Sequence, residues 1–102
     1  MFKIIAEPKF EIQITLVGQG REQVLTGTFK HMIRTAYMDL LKAVQEGNDD
    51  APGVILKIME KWDADLPLTR DSIGVLEDNQ PGACWAIIGA YGDSLMVERK
   101  GN

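Results

Sequence analysis

The chain has little to do chemistry with: one cysteine and one histidine in 102 residues. A single thiol, Cys84, excludes an internal disulfide and a thiolate zinc cluster, since each needs more than one cysteine. Such usage fits a reducing compartment. Long apolar runs are missing too. A membrane-spanning helix needs about 20 consecutive apolar residues, and Gly89, Gly92, Asp93 and Ser94 dilute the best candidate. The start, Met1-Phe2-Lys3-Ile4-Ile5-Ala6-Glu7, lacks the apolar core and small-residue cleavage site of a signal peptide. The protein is therefore expected to stay in the cytoplasm where it is made. Positive charge is not in excess: the net charge is −4 and the pI is near 4.9. Neither a phosphate backbone nor an acidic membrane is attracted by that balance, so no nucleic acid and no membrane are expected among the partners. There is no internal repeat, low-complexity tract or linker.

What is present is ordinary for a globular protein, with 45% hydrophobic and 25% charged residues. The length predicts a single domain over residues 1–102, burying about two-thirds of the surface of its unfolded chain. Phe10, Ile12, Ile14 and Leu16 alternate with Glu11, Gln13 and Thr15, the period of a strand with one wet face. Gly18 and Gly20 offer positive φ for a turn, and Val24 to Phe29 returns as a second strand. Residues 2–6 are a candidate short third strand.

From Thr35 the period becomes helical, with Ala36, Tyr37, Leu40, Leu41 and Val44 on one face and Gly47 as a stop. Asn48-Asp49-Asp50 and Pro52 then predict a helix start, and Ile55, Ile58, Met59 and Trp62 carry the helical spacing on to about Trp62. Thr69 is the expected N-cap of a short helix over Arg70 to Asp78. Asn79-Gln80-Pro81-Gly82 leads into a last helix. The expected fold is α+β: an antiparallel β-hairpin region over residues 1–30, followed by about four α-helices over residues 34–98.

Candidate catalytic and metal groups reduce to plainer readings. Lone His31 sits beside Lys30 just after a strand and reads as a surface or hinge residue. Cys84 near a helix start is either an activated thiol or a buried small apolar group, and the second is the commoner fate. Asp49, Asp50, Asp63 and Asp65 lack the glycine and distal glutamate of a calcium loop, and read as caps and loop carboxylates. Gly18-Gln19-Gly20 joins two strands with no helix N-terminus to receive a phosphate.

The last helix is different. Between Pro81 and Val97 the only charged side chain is Asp93. Cys84, Ile87, Ile88, Tyr91 and Leu95 form one side, while Trp85, Gly89, Gly92 and Met96 form another. A helix that is apolar nearly all round needs cover on more than one side. A chain this short supplies enough for one, so a second molecule is expected on the other. Gly89 and Gly92 each cost about 1 kcal/mol relative to alanine in a helix interior, as close approach of another backbone or ring would explain. Trp62, Trp85, Gly89, Gly92 and Met96 are thus the candidate partner-binding residues, with core packing as the ordinary alternative for both tryptophans. Met32, Met38, Met59 and Met96 add side chains that adapt to varied apolar partners or fill gaps in the core.

Read in order, the chain resembles the tail assembly chaperones of long-tailed bacteriophages. The resemblance is carried by Met1-Phe2-Lys3-Ile4-Ile5-Ala6-Glu7-Pro8-Lys9-Phe10, by Thr28-Phe29-Lys30-His31, and by Ile58-Met59-Glu60-Lys61-Trp62-Asp63. It continues in Leu76-Glu77-Asp78-Asn79-Gln80-Pro81-Gly82-Ala83, then Ile87-Ile88, Tyr91 and the basic ending Arg99-Lys100-Gly101-Asn102. Gly89 and Gly92 depart from it, since better helix formers are expected there.

The resemblance implies a viral or prophage protein of the host cytoplasm, absent from the mature virion. It would bind the tape measure protein, keep it soluble and help recruit tail tube protein, forming a homo-oligomer. The family commonly also makes a longer product by ribosomal slippage, and this ending looks like the shorter one, as the nucleotide sequence would test. No cofactor and no catalytic residue come with the resemblance, so no enzyme activity is expected. Two other classes stay open: a small phage or bacterial regulatory module that binds a host protein through its hairpin edge, and an enzyme using Cys84 or His31.

Overall fold

The computed structural model describes residues 1–101; Asn102, the last residue of the basic ending, lies outside them. The alternating segment forms strand β1 (Lys9–Gly18), which pairs antiparallel with β2 (Arg21–Lys30) from Lys9↔Lys30 to Gly18↔Arg21. Gln19 and Gly20, at φ of 53° and 73°, make the two-residue connection. Two successive positive φ values give the primed turn whose twist suits a hairpin. Of the two glycines expected to turn the chain, only Gly20 does so, and Gln19 takes the other position.

Residues 1–8 form no strand. The third strand, β3 (Met59–Trp62), comes from later in the chain and pairs with the free side of β2, giving the order β1-β2-β3. The helix expected to reach Trp62 therefore stops early, as α2 (Ala51–Ile58). The reason is a bulge. Gly27 faces Trp62 and Phe29 faces Met59, with a register shift at Thr28/Phe29, so three steps of β3 span two of β2. That extra residue turns Met59 and Trp62 to one face although they are three apart, a spacing indistinguishable from a helical repeat. Gly27 leaves room for the crossing: a methyl there would stand 2.6 Å from Met59 Cε and 2.8 Å from Phe29 Cε1.

The remaining helices follow the sequence closely. Helix α1 (Arg34–Gln45) ends at Gly47, whose φ of 79° carries the left-handed cap. The Asp50 carboxylate caps α2 by accepting from the Gly53 amide at 2.9 Å, with Pro52 in the first turn. Thr69 caps α3 (Arg70–Asn79) through the Ser72 amide at 3.2 Å. Helix α4 (Ala83–Leu95) runs unbroken through Gly89 and Gly92.

The helices cover the sheet face that carries Phe10, Ile12, Ile14 and Leu16, and the odd-numbered residues of β1 stay exposed on the other face. α4 lies against β1 and α2, and α2 also touches α3 and β2. Phe29, Val54, Ile55, Ile58, Ile73, Ile87 and Tyr91 form the fully buried centre. Within it the Tyr91 ring stacks on Phe29 at 5.6 Å and on Phe10 at 6.0 Å between centroids. The Tyr91 hydroxyl donates to the Lys30 carbonyl at 2.6 Å, tying α4 to the end of β2. Burial, with Tyr37 nearby, pushes the phenol up to about 12.

Candidate functional site: the outward face of α4

Helix α4 starts without a side-chain cap of its own, because Gly82 occupies the capping position at φ 93°. Glu77, from the last part of α3, supplies one instead. Its carboxylate accepts from the Gly82 amide at 2.7 Å and the Cys84 amide at 3.1 Å. Those two bonds hold the carboxyl below its usual range and place a negative charge at the positive end of the helix.

The inward side of α4 buries Ala83, Cys84, Ile87, Ile88 and Tyr91. The thiol expected to be a small apolar group is one: Cys84 is 1% exposed. Burial first, and then the Glu77 carboxylate, push it up to about 12. A thiol so held stays protonated and is a poor nucleophile near neutral pH.

The opposite side is open. Trp85 is 51% exposed and Met96, just past the helix, 61%. Gly89 lies between them, and a methyl added there would meet nothing within 4 Å. Gly92 belongs to the same line but is occupied from within, since a methyl there would stand 2.5 Å from the Tyr37 hydroxyl. The ring whose approach that glycine permits is thus the chain's own, from α1, and the same ring meets Tyr91 edge-on at 5.9 Å.

Trp62 is not part of this face. It is half-buried at the end of β3, and its indole donates to the Leu66 carbonyl at 2.7 Å. It lines a separate cleft of about 270 Å³ with Leu25, Leu66, Val75 and Leu76. The methionines divide in the same way: Met59 is buried and Met32 half-buried, whereas Met38 and Met96 are exposed.

Three of the four candidate carboxylates have structural occupations, and Asp65 is exposed in the loop after β3. Asp49 holds Lys57 at 2.6 Å, a bond that lowers its pKa. Asp50 bonds the Gly53 amide and Arg70, which lower its own. Asp63 accepts from the Thr26 amide at 2.8 Å and closes the end of β3. Among the described residues no group of three or more histidine, cysteine, aspartate or glutamate side chains is placed to hold a metal. No helix there is long and apolar enough to cross a membrane.

Two contributors escaped the sequence reading. Tyr37 appeared only as one apolar position of α1, and Glu77 only as part of a motif. The signal for Glu77 was available, because a helix that opens on glycine needs an acceptor from elsewhere. A third omission is the exposure of Phe2, Ile4 and Ile5.

No curated protein and no solved structure matches the chain. The family described as phage tail assembly chaperone matches it over residues 1–102, its whole length. The chain therefore belongs to the phage tail assembly chaperone family.

Proposed function

We propose that this protein is a noncatalytic chaperone that binds the tape measure protein of its phage in the host cytoplasm. It keeps that partner soluble, helps bring tail tube subunits to it, and does not enter the mature virion. The observation that carries the reading is the outward line of α4, where Trp85 and Met96 flank a glycine open to solvent. A tape measure protein presents long apolar helical stripes. Laying such a helix over Gly89 brings two backbones close, with Trp85 as a rigid aromatic anchor and Met96 as an adaptable one.

Co-expression with tape measure fragments tests it. The chain should raise their solubility and co-purify with them, and failure of both refutes the reading. Gly89→Glu should keep a cooperative unfolding transition, because the added side chain enters open space, while fragment binding falls by about tenfold or more through burial of an unpaired charge. If Gly89→Glu and Trp85→Ala fold and bind like the parent, the surface lies elsewhere.

A further inference from the structure

Strand β1 is an open edge. In the order β1-β2-β3 it is paired on one side only among the described residues. The His31 amide donates to the Pro8 carbonyl at 2.9 Å, which continues the β1–β2 ladder and fixes its phase. Even-numbered residues of β1 aim their backbone groups at β2, so Lys9, Glu11, Gln13, Thr15 and Val17 aim theirs away from the sheet. Natural edges are usually blunted by a proline, a bulge or an inward charge. β1 has none: its ladder with β2 is unbroken from Lys9 to Gly18, and its charges, Lys9 and Glu11, lie on the outer face.

Apolar surface lies open at both ends of this edge. Just before it, Phe2, Ile4 and Ile5 are 87%, 87% and 85% exposed. At its far end a cleft of about 470 Å³ opens between the hairpin tip and the α3–α4 connection, lined by Leu16, Val17, Pro81, Ala83 and Ala86 among others.

We propose that two copies of the chain pair β1 to β1, antiparallel about a two-fold axis through Gln13, and that residues 1–8 of each cross the other's hairpin tip towards that cleft. Self-complementarity selects the register. With the axis at Gln13, Phe10 meets Leu16 of the second copy and Ile12 meets Ile14 on the helix-covered face, so every pair there is apolar. On the outer face Glu11 meets Thr15 and Lys9 meets Val17. An axis at Lys9 or Glu11 sets like charges directly opposite, which destabilises a sheet. Axes at Phe10 or Ile12 shorten the ladder and draw Pro8 into it, and one at Ile14 sets Lys9 and Phe10 against the turn. The Gln13 register satisfies all five outward residues of each strand with roughly ten main-chain hydrogen bonds. It makes one six-stranded sheet and runs the residues before Lys9 past Gly18 and Gln19 of the second copy.

Light scattering and sedimentation on the whole chain test this without any other phage protein, so the result is independent of tape measure binding. The expected mass is twice the 11.3 kDa of one chain, dissociating on dilution. Gln13→Pro removes an amide that points away from β2, so the monomer should stay folded by circular dichroism while association weakens by about tenfold or more. Thr15→Glu places carboxylates opposite Glu11 and should weaken association several-fold, whereas Thr15→Lys should tighten it. Both sit on an exposed position and leave the core untouched. Ile4→Asp with Ile5→Asp should weaken association as well. A wild-type chain of single mass up to about 500 μM overturns the proposal, millimolar Kd being too weak for a stable pair. So does a dimer that ignores Gln13→Pro, or one in which the two Thr15 variants shift affinity the same way.

Discussion

Gly89 and Gly92 lie three residues apart in one helix, and replacing each by alanine should give opposite results. The backbone term is the same for both: alanine in a helix interior is better than glycine by about 0.8–1.0 kcal/mol. At Gly89 nothing opposes it, since the methyl meets no atom within 4 Å. Gly89→Ala should therefore stabilise by about 1 kcal/mol and raise Tm by about 4–8 °C in a domain of this size. At Gly92 the methyl would stand 2.5 Å from the Tyr37 hydroxyl and 3.5 Å from Cζ. The ring must withdraw by about 1 Å to reach ordinary contact distance, against its edge-on packing with Tyr91. Overpacking of this kind costs about 1–3 kcal/mol, which cancels or exceeds the gain. Urea unfolding followed by circular dichroism reads both changes. Because the conflict is with the hydroxyl alone, Gly92→Ala in a Tyr37→Phe background should recover most of the lost 1 kcal/mol. A Gly89→Ala variant no more stable than the parent would refute the open helix face, and a Gly92→Ala as stabilising as Gly89→Ala would refute the Tyr37 contact. If Gly89→Ala gains stability yet binds tape measure fragments less tightly, the glycine is kept for approach and not for folding.

Glu77→Gln should cost about 1–2 kcal/mol by weakening the only side-chain cap of α4. The native pKa of Glu77 is lowered, so its contribution is present above the unfolded value, near 4.5, and is lost as pH falls through the native one; the variant's stability should accordingly drop less in acid. Tyr91→Phe should cost about 1–2 kcal/mol, because the Lys30 carbonyl loses its donor. The Tyr91 pKa is raised from 10.0 to about 12, so this part of the stability is complete below 10 and lost as pH rises towards 12, a decline that Tyr91→Phe should remove. Cys84 should resist iodoacetamide in the native protein at pH 8 and react at once in denaturant; prompt native alkylation would contradict its burial.

The hairpin, three of the four helices and two of their caps were legible because each rests on local chemistry. Thr69 and Asp50 cap helices three residues ahead of the amides they bind, and Phe10 to Leu16 alternate without interruption. Strand β3 was not legible, since the bulge gives Met59 and Trp62 a helical spacing and the partner that makes it a strand is β2, about 30 residues earlier. The same holds for the face of α4. Its two-sided apolar character could be read from Cys84 to Met96, but that Gly92 is filled by Tyr37 while Gly89 is empty depends on where α1 lands. Trp62 and Trp85 look alike in sequence, and only the sheet decides that one lines a cleft beside α3 and the other stands in solvent.

Of the twelve residues of α1 only Leu40 is buried, and Tyr37 reaches α4 by packing edge-on against Tyr91. Amide exchange should begin there, at a free energy well below that of global unfolding. Each such excursion bares Gly92 and joins it to Gly89, lengthening the bare strip along the neighbouring helix by about one turn. For the apolar helix proposed to dock on α4, that excursion would offer a longer landing ground without disturbing the rings stacked beneath.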